Sequence, residues 1–328
     1  MVHQPGVDLP LAIFIMGPTA AGKTDLAIAL QDVLPGRIIS VDSAMIYRGM
    51  DIGTAKPSAA ELARAPHRLI DVIDPAETYS VGDFCRDARG EMDAAVAEGR
   101  VPLLTGGTMM YFKALKEGFA DVPVADQTVR QRLLETAELE GWDSLYRQLQ
   151  RIDPEAAAGL HPNNHQRLVR ALEVFELSGR PLSSHWAARG RWDGQDERGA
   201  AQTIALPYRI LELALIPESR ALLHRRIEAR FTMMLNRGLI DEVERLRARG
   251  DLNLDLPSMR CVGYRQVWEH LEGNFSYEEL VQRGIAATRQ LAKRQLTWLR
   301  RWPEAHSLDP GSPDLYRNVL KLVDCTPH

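Results

Sequence analysis

Cysteine is scarce in this 328-residue chain: Cys85, Cys261 and Cys325 are an odd number, far apart, with no Cys-x-x-Cys spacing and no nearby histidine pairing. That excludes a disulfide framework and a zinc site of the usual ligand spacing. The three thiols are read as reduced packing residues, as suits a reducing compartment. Long apolar runs are missing too. No stretch approaches the roughly 18 to 20 apolar residues that a membrane span needs. The N-terminus lacks the basic start and apolar run of a secretory leader, so a cytoplasmic chain without membrane contact is expected. Internal repeats and low-complexity tracts are absent. With 45% apolar and 26% charged residues the composition is that of an ordinary globular protein, which excludes disorder and fibrous folds. A basic total is lacking as well. The formal net charge is −4, so nothing global advertises a polyanion partner. Locally the balance differs: between Leu280 and Pro303 stand six Arg or Lys and no Asp or Glu. The nine histidines show no metal-like pairing, and His67 and His161 are read as structural.

What is there is an alternation of short apolar runs with helical patterns. Leu11 to Met16 reads as a strand, followed by a glycine loop and a helix whose Leu26, Ala29 and Leu30 face one way. Ile38 to Val41 is a second strand, ending at Asp42, and Val101 to Leu104 a third, ending in Thr105-Gly106-Gly107-Thr108. Strands alternating with helices imply a mainly parallel α/β sheet, with ligands bound beyond the carboxyl ends of its strands. Asp42 and Thr108 belong at that edge. From Asp126 to Gly179 the pattern is consecutive helices, with Asp126 as an N-cap, Asp153-Pro154 as a helix start and Gly179 as a stop. Ser183 to Gln202 reads as a loop, and Tyr208 to Ile216 returns to a strand. Glu218 to Trp302 is mostly helical, with Leu223, Ile227, Phe231 and Met234 spaced to bury one face. The expected organisation is an α/β core of residues 1–121 and 205–328, interrupted by a helical lobe at 122–204.

The sharpest chemical signal is Gly17-Pro18-Thr19-Ala20-Ala21-Gly22-Lys23-Thr24, which has the P-loop spacing G-x-x-x-x-G-K-[ST] between a strand and a helix. Glycines let backbone N–H groups curl around phosphate oxygens, the helix N-terminus adds its dipole, Lys23 a full charge, and Thr24 a hydroxyl for Mg²⁺. Alone, this is a nucleotide-binding signature of the ATP-using kind. Such proteins usually carry a second apolar strand ending in an Asp that organises the metal. Here the Val101 strand ends in Thr-Gly-Gly-Thr, and the acid at a strand end is Asp42. That carboxylate can hold metal through water, cap the following turn, or act as a general base.

Residues 17–24, 42–57, 106–112, 260–265 and 288–300 together resemble the tRNA dimethylallyltransferase family, bacterial type. These blocks are spread over nearly the whole chain. The resemblance implies a P-loop α/β core with an inserted helical lobe, and transfer of a dimethylallyl group from dimethylallyl diphosphate to N6 of the adenine 3′ of the tRNA anticodon. It implies that residues 17–24 hold the diphosphate with Mg²⁺ at Thr24, and that Lys23, Thr24, Asp42 and Arg230 carry the chemistry. Arg225 and Arg226 share the Arg230 helix, which leaves open which of the three faces the diphosphate. The adenine must leave its stack to reach the donor. Asp42, Ser43, Ala44, Met45 and Thr108, with Arg260, Cys261, Val262, Gly263, Tyr264 and Arg265, are implied to line its channel. Arg130 and the helix segment Gln166, Arg167, Leu168, Val169 and Arg170 are implied tRNA contacts. So are Lys293, Arg294 and Arg300, where Arg289, Lys293 and Arg300 recur along one helix face. A working monomer is expected. A small-molecule or nucleotide kinase is the alternative enzyme, since its P-loop would look the same. It would need a base pocket and lid arginines, and would have no use for the 260–265 block. A nonenzymatic RNA-binding module is the third reading, and it leaves a P-loop joined to a strand-end carboxylate without purpose.

Overall fold

The computed structural model describes residues 9–118, 122–123, 125–186 and 206–325. Two compact units divide the chain: Met1–Phe112 with Pro207–His328, and Lys113–Leu206.

In the first unit the chain runs β1 (Leu11–Met16), α1 (Lys23–Gln31), β2 (Gly36–Val41), α2 (Ala59–Arg64), β3 (His67–Arg68), α3 (Val81–Ala97) and β4 (Val101–Gly106). Helix α4 (Met109–Glu117) carries it into the second unit. That unit holds α5 (Gln127–Glu140), α6 (Trp142–Ile152), α7 (Pro154–Ala158), α8 (His165–Ser178) and α9 (Leu182–Trp186). The first unit resumes with β5 (Arg209–Leu215), α10 (Arg220–Asn236), α11 (Leu239–Arg247), α12 (Tyr264–Leu271), α13 (Tyr277–Leu299), β6 (His306–Leu308) and α14 (Leu315–Cys325).

Six strands form one sheet in the order β3-β2-β4-β1-β5-β6, every pair parallel. The period-2 pattern sorts its side chains. Ile13, Ile15, Ile38, Leu103, Leu211 and Leu213 join α1 and α14 in one buried cluster. The alternate residue Phe14 turns to the other face, with its ring 5.1 Å from that of Phe112. Register carries β1 and β4 side by side to their last residues, Met16 against Gly106, and β2 and β4 to Val41 against Gly106. The loops after β1, β2 and β4 therefore emerge at one edge. A second cluster packs α10 to α13 against Ile46, Tyr47 and Met50 of the loop that follows β2.

The strands expected at residues 11–16, 38–41, 101–104 and 208–216 correspond to β1, β2, β4 and β5. Two further strands, β3 and β6, are two and three residues long and lie at the sheet edges, too short to leave a periodic signal. In the second unit, Asp126 Oδ1 accepts from Thr128 and Val129 N–H at 2.8 and 2.9 Å to start α5, and Asp153 Oδ1 accepts from Ala156 N–H at 3.0 Å to start α7. Gly179, at φ 67°, ends α8. Its core is Leu133, Leu145, Leu149, Leu168, Val169 and Leu172. The expected loop at 183–202 begins inside α9, and the rest of it, including the charged run from Arg189 to Arg198, lies outside the described residues. The thiols differ from one another. Cys85 is buried as expected, Cys261 is half-buried and packs against the cluster of α10 to α13, and Cys325 is exposed at the end of α14, so packing accounts for the first two.

Candidate active site

The loop after β1 is built by its backbone. Gly22, at φ 81°, adopts the left-handed conformation that lets the loop turn into the first turn of α1, and Ala20 holds φ 63° without being glycine. A left-handed alanine costs about 1 kcal/mol, strain of the kind that collects at ligand clamps. Lys23 curls back across this loop and donates from Nζ to Pro18 O at 2.8 Å. Burial lowers its pKa to about 8, the positive charge of Arg230 pushes the same way, and Asp42 opposes both. Burial also lowers Arg230, against the pull of Asp42 and Asp25. Lys23, Arg230 and Asp42 thus share a partly buried space, with the exposed Asp25 in reach, and the paired cations suit a phosphorylated ligand.

Asp42 directly follows β2. Its Oδ1 accepts from Ala44 N–H at 2.9 Å and Met45 N–H at 3.4 Å, so the carboxylate does cap the turn. Both bonds fall on Oδ1, and Oδ2 keeps its lone pairs. Thr108, after β4, accepts from Ser43 N–H at 3.1 Å through Oγ1, tying the β4 loop to the same turn. Further along the segment that follows β2, Glu242 of α11 accepts from Asp51, Ile52 and Gly53 N–H at 2.8 to 3.2 Å and from the Tyr264 hydroxyl at 2.5 Å. Lys56 reaches Tyr47 O, Asp51 Oδ1 and Asp71 Oδ1 at 2.5 to 2.7 Å.

These segments surround a cleft of about 1680 Å³, larger than the ~300–1,000 Å³ usual for one small ligand. Of the residues singled out from sequence, Thr19, Ala20, Ala21, Gly22, Lys23, Thr24, Asp42, Ser43, Ala44, Met45, Thr108, Arg230, Arg260, Cys261, Val262, Gly263 and Arg294 line it. Gly17 and Pro18 are buried behind the loop. Arg226 and Arg230, one helical turn apart, both face the cleft, while Arg225 is exposed and does not line it.

The other residues singled out from sequence lie outside the cleft. Tyr264 is fully buried and spends its hydroxyl on Glu242, so it is part of the core and not of a channel wall. Arg265 is exposed and paired with Glu269 at 2.8 Å on its own helix. Lys293 and Arg300 are exposed outside the cleft, and Arg289, read as their partner on one face, pairs with Glu228 at 3.2 Å. In the second unit, Leu168 and Val169 are buried in its core and offer no surface to RNA. Arg130 and Arg170 both hold the buried carboxylate of Glu173, at 3.0 and 2.7 Å, and a cation committed to a buried anion is only partly available to a phosphate. Gln166 and Arg167 are exposed at the start of α8.

Sequence reasoning missed Glu242, Lys56 and Gln295. The last is a buried residue of α13 whose Oε1 accepts from Thr19 N–H at 2.8 Å and whose Nε2 donates to Gly107 O at 2.9 Å. A signal existed for two of them: Glu242 and Gln295 interrupt the apolar stripes Leu239-Val243-Leu246 and Ala292-Leu299. A polar residue on a buried stripe must have a partner.

A parallel sheet with a P-loop-shaped turn after β1, a carboxylate after β2 and an arginine-lined cleft defines an α/β protein of the P-loop-like class. Within that class the family model of IPP transferase matches residues 45–302, and the chain belongs to this family. A relative from Hahella chejuensis, named tRNA dimethylallyltransferase 2, is 56% identical over 322 residues, covering 96% of this chain and 95% of its own length. The solved full-length tRNA isopentenylpyrophosphate transferase of Bacillus halodurans is 34% identical with a TM-score of 0.67, covering 97% of both chains. A eukaryotic dimethylallyltransferase solved acting on tRNA shares the fold, with a TM-score of 0.77 at 23% identity over 95% of this chain and 78% of that one.

Proposed function

We propose that this chain transfers the dimethylallyl group of dimethylallyl diphosphate to N6 of the adenine immediately 3′ of a tRNA anticodon, releasing diphosphate. Prenyl transfer to tRNA is the reaction class of the family, and the kinase alternative falls with that membership. The observation that carries the finer reading is the meeting of Lys23, Arg230 and Asp42 in one cleft with room for two substrates.

In this reaction the C1–O bond of the donor breaks and the N6–C1 bond forms, while one N6 proton departs. Negative charge grows on the departing diphosphate, where Lys23, Arg230 and the N–H groups of residues 20–24 stabilise it. The exocyclic amine is a weak nucleophile because its lone pair is delocalised into the ring, and Asp42 accepts its proton through Oδ2. The Thr24 hydroxyl in the cleft, together with diphosphate oxygens, would offer Mg²⁺ the oxygen ligands a hard cation takes. Bound there, the ion would neutralise leaving-group charge. In the first unit the tRNA anticodon stem-loop would meet Arg260 and Arg294, with Lys293 and Arg300 on its backbone; in the helical lobe, Gln166 and Arg167 are the exposed candidates for tRNA contact. We assign the chain to the cytoplasm and to a working monomer; among the described residues no helix is long and apolar enough to cross a membrane.

Incubation of the purified chain with labelled dimethylallyl diphosphate and unmodified tRNA should move label into the tRNA. Label moved only from ATP, or tRNA bound without any transfer, would overturn the reading.

Donor binding should also depend on pH in a defined direction. Without ligand the Lys23 ammonium has a pKa of about 8. A bound diphosphate holds that ammonium protonated, so its folded, ligand-bound pKa lies higher. Once the donor's own terminal phosphate is fully ionised, the Lys23 contribution therefore weakens affinity as pH rises through 8, by up to about tenfold per unit. Calorimetry of donor binding without tRNA at pH 8.5, in two buffers of different ionisation enthalpy, should register proton uptake. Equal heats in the two buffers would remove Lys23 from that role.

A further inference from the structure

The edge where β1 and β4 end poses a geometric problem. Backbone pairing holds the two strands in register to Met16 and Gly106 and then stops. Beyond it, one chain becomes the phosphate-type loop and the other becomes the turn that carries Thr108, which in turn holds Ser43 beside Asp42. A transfer reaction needs the groups on these two loops at a fixed separation, since reacting atoms must approach to about 3–3.5 Å.

Gln295 closes that gap. It lies 8% exposed on the apolar stripe of α13 between Ala292 and Leu299. Burying an amide is costly unless both its ends are bonded. Here both are, and each end takes a different loop: Oε1 accepts from Thr19 N–H at 2.8 Å, and Nε2 donates to Gly107 O at 2.9 Å. The fit is tight enough to dictate its neighbour, because a side chain on Gly107 would begin 2.2 Å from Nε2. A carboxamide offers an acceptor and a donor side by side, as the peptide group of a further strand residue would. It extends the β1–β4 cross-link past the end of the sheet.

The geometry points to Gln295 as a positioning residue that fixes the donor's phosphate loop against the Asp42–Thr108 side of the cleft. This rests on the prenyl-transfer reading, and Gln295 itself touches neither proton nor leaving group. Its loss should therefore lower kcat more than it raises either KM.

The test compares Gln295→Met and Gln295→Glu with the parent enzyme in single-turnover and steady-state transfer to tRNA across pH 5.5 to 8.5. Methionine fills the same volume with neither bond, and kcat should fall about 10- to 100-fold at every pH. Gln295→Glu supplies its own rescue. Neutral, the new carboxyl accepts from Thr19 N–H and donates O–H to Gly107 O; ionised, it sets a second lone pair against that carbonyl. Burial raises the carboxyl's pKa, so kcat relative to parent should climb as pH falls. Lys23, Arg226, Arg230, Asp42 and Arg294 line the same cleft and move the pH at which this happens, not its sign. A packing role predicts a flat ratio. The proposal is overturned if either variant, folded by its thermal midpoint, keeps kcat within twofold of parent at all pH values. A loss confined to donor KM, or a ratio for Gln295→Glu that does not change with pH, overturns it equally. If the parent itself transfers nothing, it is the functional reading that has failed.

Discussion

Asp42→Asn is expected to lower turnover about 10²-fold or more, the loss typical of a removed general base, while tRNA affinity and the thermal midpoint stay at parental values. Asparagine keeps Oδ1 and with it the bonds from Ala44 and Met45 N–H, so the turn after β2 should survive the change. What disappears is the anionic oxygen proposed to take the N6 proton. The substitution also removes a negative charge that lies in the field of Lys23 and Arg230. Less repulsion toward a diphosphate should leave donor KM unchanged or lower, which separates this variant from a general weakening of the site. The decisive quantities are kcat and donor KM from transfer of labelled dimethylallyl to unmodified tRNA. Turnover within a few-fold of parent would make Asp42 a cap and nothing more.

Cap and base were alternatives when only the sequence was read, and the coordinates make them compatible. The two oxygens divide the work: one is held by backbone N–H groups, which orients the other. A motif of spaced residue types names the side chain but not which of its atoms are already used. The same limit explains the basic residues. Arg130 and Arg170 read as displayed cations because Glu173, three residues past Arg170, gave no sign of being buried beneath both. Local patterns served well where the physics is local: the glycine spacing after β1, the Asp126 and Asp153 caps, and the short apolar runs that form the middle of the sheet. They failed where partners are distant. Gln295 meets Thr19 across 276 positions and Gly107 across 188, and Glu242 meets Ile52 across 190. Such pairings follow from topology, and a polar residue on an apolar stripe signals that a partner exists without saying where.

Glu242 provides the second large effect, on stability and on the shape of the cleft together. The residue is 3% exposed, and its two oxygens accept three consecutive backbone N–H groups, of Asp51, Ile52 and Gly53, together with the Tyr264 hydroxyl. Burial and the adjacent carboxylate both raise the Tyr264 pKa, so the phenol remains a donor at any pH at which the enzyme would be assayed. Glu242→Ala strips the acceptor from all four. An orphaned buried donor costs about 1–3 kcal/mol, and since water reaches residues 51–53 in part, the sum should be about 3 kcal/mol instead of the arithmetic maximum. For a chain of this size that corresponds to a fall of several degrees in thermal midpoint. The loss should also be local. Amide hydrogens of residues 51–53, protected in the parent, should exchange far faster in the variant, whereas those of β1 and β4 should keep their protection. Because residues 51–57 line the cleft alongside residues 42–45, transfer should suffer mainly as a raised tRNA KM, the chemistry at Asp42 being untouched. Unchanged protection at residues 51–53 would mean that the loop is held by Lys56 and by packing alone, and that the carboxylate under it is not what shapes the acceptor side.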